Sequence, residues 1–162
     1  MNHKIYIRRD KGVKSFLPAR SLLRRCITCV LASENVAPLC ELNVLLTDDR
    51  RIQEINREMR HVDSPTDVLS FPMNAYRPGA FTVQEDQLDP QTGLLPLGDL
   101  VMSMDRLRAQ GTEFEHGLKR EMAYLAVHSV LHLLGYDHLD EGEDKLLMRR
   151  REDEIMAKLN LT

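Results

Sequence analysis

Three of the six histidines fall within KREMAYLAVHSVLHLLGYDH, residues 119–138: His128, His132 and His138. The first two are four residues apart, so on an α-helix they stand one turn apart on one face. Leu125, Val127, Val130, Leu131, Leu133 and Leu134 make that helix apolar almost all round, which implies burial on most sides. Gly135 is the residue type that ends a helix in left-handed backbone, and His138 arrives just past it. Two imidazoles on one turn and a third beyond a glycine make a three-nitrogen site that leaves one tetrahedral position open to water. A hydrogen-bonded core histidine explains one such residue better than it explains three at these intervals. Imidazole suits zinc, our expectation for a single bound ion, and equally nickel, copper and iron. Each ligand needs an acceptor on its other ring nitrogen, and placement makes Asp99 and Asp137 the candidates.

The spacing H-x3-H-x2-G-x2-H is that of the metzincin proteases. Those enzymes carry a general-base Glu directly after the first His, where this chain has Ser129. A serine hydroxyl is far too weak an acid to exist as a base near neutral pH, so the cation geometry is expected to serve another hydrolysis. A cation so held would lower the pKa of a bound water toward about 7. No residue stands out as the general base that such a hydrolysis would use.

HSVLHLLGYDH resembles the motif of the YbeY family of bacterial endoribonucleases, which usually has Gly where this chain has Ser129. Ile55–Pro72, INREMRHVDSPTDVLSFP, and Leu97–Ser103, LGDLVMS, match further family segments in family order, so the resemblance covers nearly the whole chain. It implies a single-metal, single-strand-specific endoribonuclease acting in ribosomal RNA maturation, at the 3′ end of 16S rRNA, and in ribosome quality control. On an RNA phosphodiester a cation-bound water would leave a 3′-hydroxyl and a 5′-phosphate, whereas polarising a phosphoryl oxygen while a ribose 2′-hydroxyl attacks would leave a cyclic phosphate. The resemblance also implies ribosomal RNA precursors and the small ribosomal subunit or its proteins as partners, and a functional role for Arg60. A guanidinium there could clamp a phosphodiester through two hydrogen bonds and oppose charge building on its oxygens. Without the resemblance Arg60 reads as a helix-terminal arginine favoured by the dipole. Two other function classes stand beside the ribonuclease: a metal-dependent peptidase or amidase, and a non-catalytic ribosome-assembly factor with a structural metal.

The rest of the composition sets the context. At 162 residues the chain reads as one domain, 1–162, with room for a real core. No run of about 18 apolar residues is present, so no membrane span is expected. The opening HKIYIRRDKGVK is too charged for an export signal. Three cysteines, an odd number, suit reduced thiols in the cytoplasm, and the chain is read as a monomer. Cys26 and Cys29 form a CxxC inside a helical pattern, where small core residues are the simpler account. The net charge of −3 hides an asymmetry: residues 1–25 hold eight Lys/Arg against Asp10, the rest 14 against 24 Asp/Glu. A basic N-terminal element on an acidic body could steer toward a phosphate backbone or be a solvated helix face. His3, His61 and His116 sit in polar contexts and read as surface residues.

The elements that must position the histidines follow from periodicity. Strands are expected at Lys4–Arg8, Glu41–Thr47, Val68–Phe71 and Leu97–Met104. Helices are expected from Pro18 to about Glu34, after an Asp48 or Thr47 cap with Ile52, Ile55 and Met59 inward, and from an Asp105 cap to Gln110. The histidine helix should begin near residues 114–116, and a last amphipathic helix should run from about Asp144 to Leu159, with Leu147, Met148, Ile155, Met156 and Leu159 inward. Met73–Pro96, rich in Pro and Gly, reads as a loop or hairpin arm. The order β-α-β-α-β-β-α-α-α implies an α+β fold: a four-stranded mixed sheet, its third and fourth strands antiparallel, with helices mostly on one face around a central buried metal-binding helix.

Overall fold

The computed structural model describes residues 2–16, 18–79, 81–111, 115–137 and 142–161, the side chains of residues 115 and 116 excepted. Its elements are β1 (Lys4–Arg9), α1 (Ala19–Ser33), β2 (Cys40–Thr47), α2 (Asp49–Arg60), β3 (Val68–Pro72), β4 (Leu95–Ser103), α3 (Met104–Gln110), α4 (Glu115–Leu133) and α5 (Glu143–Lys158). The strands make one mixed sheet in the order β1-β2-β4-β3. β1, β2 and β4 run parallel and β3 runs antiparallel to β4, as expected where only the last two strands are joined without a helical crossover. The fold is α+β in a single domain.

Side-chain alternation divides the sheet into two unequal faces. Ile5, Ile7, Leu42, Val44, Leu46, Leu95, Leu97, Leu100 and Met102 join the main core with α1, α4 and α5. On the other face Leu69 and Val101, with Leu45 and Phe71 at their rim, pack under Ile52 and Ile55 of α2. The main core takes almost all of α4: Met122, Ala123, Leu125, Ala126, Val127, Val130, Leu131 and Leu133 are buried. Among the described residues no helix is long and apolar enough to cross a membrane.

Several local expectations need correction. β4 starts at Leu95, and Pro96, which cannot donate to the ladder, sits at a register shift opposite Glu41 and Leu42. Gly98 (φ +141°) follows that irregularity because a Cβ there would stand 2.2 Å from the Phe71 carbonyl oxygen. Met104 is already helical, and the cap of α3 is Ser103, whose Oγ accepts from the Arg106 N–H. Asp105 instead accepts from the Asp49 N–H at 2.9 Å. Asp48 is the cap of α2, accepting from the Arg51 N–H. Met59 is 62 % exposed rather than packed with Ile52 and Ile55. His3 is half-buried, and its Nδ1 accepts from the Cys40 N–H at 2.9 Å, which orders the entry to β2.

The long connection before β4 is packed rather than loose. Tyr76, Phe81, Val83 and Leu88 lie against the main core. The arginines of α1 also have intramolecular work. Arg20 and Arg24, one turn apart, donate to the carbonyls of Ile7 and Ile5 on the edge strand β1, and Arg25 donates to Leu159 O. Edge carbonyls engaged in this way are less able to recruit a foreign strand. Cys26 is buried and Cys29 half-buried on α1, consistent with packing roles.

Ser129 lies on α4 directly after His128. It is fully buried, and its Oγ has no hydrogen-bond partner among the described residues. A buried hydroxyl left so costs about 1–3 kcal/mol. Ser129→Ala is therefore expected to stabilise the metal-free protein by about 1 kcal/mol, raising Tm by about 2–4 °C in a thermal melt. A lower Tm would show that the hydroxyl is satisfied.

Candidate functional site

α4 ends in a turn that orders the imidazoles. The Tyr136 N–H donates to Leu131 O and the Gly135 N–H to His132 O, a glycine-terminated helix end with Gly135 at φ +102°. The left-handed residue expected at Gly135 is thus present. The turn brings the Tyr136 carbonyl back over His132, whose Nδ1 lies 2.8 Å from it. One turn earlier, His128 Nδ1 lies 3.1 Å from Glu152 Oε1 of α5. The two rings are nearly perpendicular (84°), their centroids are 4.6 Å apart, and their Nε2 atoms approach to 3.1 Å.

The acceptors decide the tautomers. A backbone carbonyl can only accept, so His132 carries its proton on Nδ1. Glu152 is 6 % exposed. Burial pushes its carboxyl pKa up, but hydrogen bonds from His128 and Tyr124 outweigh that and hold it below the usual carboxylate value. An ionised Glu152 accepts from His128, which likewise carries its proton on Nδ1. In this tautomer each ring turns its Nε2 lone pair toward the same point. Two lone pairs converging at 3.1 Å oppose each other, whereas a cation between them turns the arrangement into an attraction. Nitrogens bound at about 2.0–2.1 Å to a tetrahedral zinc lie about 3.3 Å apart, close to the observed separation. The donor set fits a divalent transition-metal ion.

His128 and His132 are brought together as the sequence implied. His138, the third expected ligand, lies outside the described residues; among those described, no group of three His, Cys, Asp or Glu side chains gathers round a point. The acceptor expected of Asp99 comes from elsewhere. Asp99 is exposed on the sheet and accepts from Asn43 Nδ2 at 3.0 Å, and the acceptors seen are Glu152 and the Tyr136 carbonyl. Glu152 was missed, although a signal existed: it is a carboxylate on the apolar stripe of α5, between Met148 and Ile155. Tyr124 was missed with it. It lies one turn before His128, stacks on that ring at 5.9 Å between centroids, and its hydroxyl helps lower the Glu152 carboxyl pKa.

Arg60 is the last residue of α2, exposed, with no hydrogen bond or ion pair among the described residues. α2 covers the sheet face opposite α4, with the edge strand β3 between them. Arg60 is therefore available to a ligand lying across that edge but is not in contact with His128 or His132.

Comparison with known proteins bears on what such a site acts upon. A protein from Lachnoclostridium phytofermentans named endoribonuclease YbeY is 40% identical over 98% of both chains. A Clostridium botulinum protein of the same name is 40% identical over 97% of this chain and 98% of its own. One from Agathobacter rectalis reaches 42% over 84% and 85%. The solution structure of a Thermotoga maritima protein superposes with a TM-score of 0.56, covering 96% of this chain and 91% of that one at 21% identity, a likeness of fold. The family model described as endoribonuclease YbeY matches residues 7–160, and with that span this chain belongs to the YbeY endoribonuclease family.

Proposed function

We propose that this endoribonuclease cleaves single-stranded segments of ribosomal RNA precursors in the cytoplasm, the 3′ end of 16S rRNA among them, at one divalent cation held by His128, His132 and His138. Zinc is the ion we assign, a choice imidazole donors allow alongside nickel, copper and iron, and the small ribosomal subunit is the partner that would present the substrate. The observation that carries the proposal is the pair of Nδ1-anchored imidazoles with Nε2 atoms 3.1 Å apart. Family membership supplies the RNA phosphodiester as the bond cleaved.

When bound, the cation would supply Lewis acidity to a water or to a phosphoryl oxygen. The chain supplies the rest. Glu152 and the Tyr136 carbonyl hold the Nδ1 protons of His128 and His132 on the far side of each ring, so each Nε2 is the nitrogen left to face a cation. Glu152 itself touches Nδ1, behind the ring, and so is not the base that takes a proton from the nucleophile. Ser129, fully buried, provides no base beside His128 either, which argues against peptidase chemistry. Arg60 would meet the phosphodiester from the far side of β3 and offset its charge.

The test is elemental analysis of purified protein together with cleavage of a single-stranded ribosomal RNA fragment. Arg60→Glu is expected to lower cleavage at least about a hundredfold, the scale of losing one donor to transition-state charge. Metal content and Tm should not change, since Arg60 is exposed and makes no intramolecular bond among the described residues. Cleavage at the wild-type rate would remove Arg60 from the site.

A further inference from the structure

Glu152 is an expensive residue where it stands. The inward stripe of α5 is otherwise Met148, Ile155 and Met156, all buried in the main core. A carboxylate among them costs stability unless it is paired. Its partners are His128 of α4, at 3.1 Å, and Tyr124, one turn before His128 on the same helix. Tyr124 in turn lies against the His128 ring, so the three side chains close a cluster between α4 and α5. The two imidazoles are thus anchored in different ways. His132 uses a backbone carbonyl that no substitution removes, and His128 depends on a side chain from an element 24 residues away.

We propose that Glu152 is a positioning residue for the cation: it holds His128 in the Nδ1–H tautomer with Nε2 presented beside that of His132, a role that rests on the cation reading above. The chemistry is specific to a carboxylate. An ionised Glu152 can only accept, so it permits one tautomer. A glutamine keeps the shape but can turn its amide N–H toward Nδ1. That admits the Nε2–H tautomer, whose proton points at the place where the cation sits.

The experiment uses the full chain and zinc alone as the probe. Long-range proton–nitrogen correlation spectra of the metal-free protein read the His128 tautomer, a competing chromophoric chelator reads zinc affinity, and a thermal melt reads folding. In Glu152→Gln, His128 should shift toward the Nε2–H form, and zinc affinity should fall about 10–100-fold with little change in metal-free Tm. Tyr124→Phe should lose several-fold, and the double variant should be no worse than Glu152→Gln alone, because Tyr124 acts through Glu152. A Glu152→Gln protein that melts lower but keeps the wild-type tautomer and zinc affinity would make the residue merely structural and overturn the proposal. If His128→Ala loses zinc and Glu152→Gln does not, only this inference falls. If wild type takes up zinc no better than His128→Ala, the cation reading falls with it.

Discussion

His132→Ala is expected to abolish RNA cleavage, by at least about a thousandfold, and to remove the bound metal while leaving the protein folded. The first part follows from donor count. A cation that keeps an open position for chemistry has three protein ligands, and two cannot hold it against water. The second follows from what His132 does in the metal-free fold. Its ring is half-buried, and its Nδ1–H bond to Tyr136 O, at 2.8 Å, is worth about 1 kcal/mol. Removing both costs about 1–2 kcal/mol, within reach of a domain that buries some thirty apolar side chains at α4, α1 and the sheet. The variant should also lose a linkage effect that wild type shows. Zinc at a hundred times its Kd adds about 2.7 kcal/mol to the stability of a protein that binds it only when folded. Wild-type Tm should therefore rise with added zinc and that of His132→Ala should not. Full cleavage by a metal-free His132→Ala protein would end the metal-hydrolase interpretation and leave RNA cleavage to other groups.

What the sequence disclosed and what it withheld divide along sequence separation. The His128–His132 pair, Gly135 and the burial of α4 are local facts: a period of four, a residue without a Cβ and an unbroken apolar run each carry their own physical cause. The parallel and antiparallel pairings were legible for a similar reason, since a helix between two strands forces a crossover. Glu152 was legible only in part: its place on the stripe between Met148 and Ile155 marks it as inward, but the group it serves lies on another helix, which periodicity along α5 does not name. The same holds for Arg20 and Arg24: their charge is legible, as a phosphate-steering element or a solvated helix face, but their carbonyl partners on β1 are not. The cap of α3 went to Ser103 rather than Asp105 because Asp105 is drawn to the Asp49 N–H of a neighbouring helix. Long-range partners settle such choices, and residue type alone does not.

Gly135→Ala should be among the most destabilising single substitutions outside the core. At φ +102° any L side chain is strained, by roughly 1–2 kcal/mol. The larger cost is contact. A Cβ on Gly135 would stand 2.2 Å from the Tyr76 carbonyl oxygen and 2.7 Å from its carbon, and both are backbone, so no rotamer change relieves the overlap. Either the 73–94 connection lifts from the core, where Tyr76 packs on it, or the turn after α4 shifts. We expect a loss of about 3 kcal/mol or more, a fall in Tm of about 10 °C. Shifting the turn also moves the Tyr136 carbonyl that orients His132, so zinc affinity should fall even at temperatures where the variant is folded. Gly93→Ala is the control: it has φ +72° and nothing within 4 Å of its Cβ, so it pays for backbone conformation alone, about 1 kcal/mol. Should the two variants melt within a degree or two of each other, the close approach of Tyr76 to the end of α4 is not a feature of the folded protein, and neither is the tight turn that sets His132.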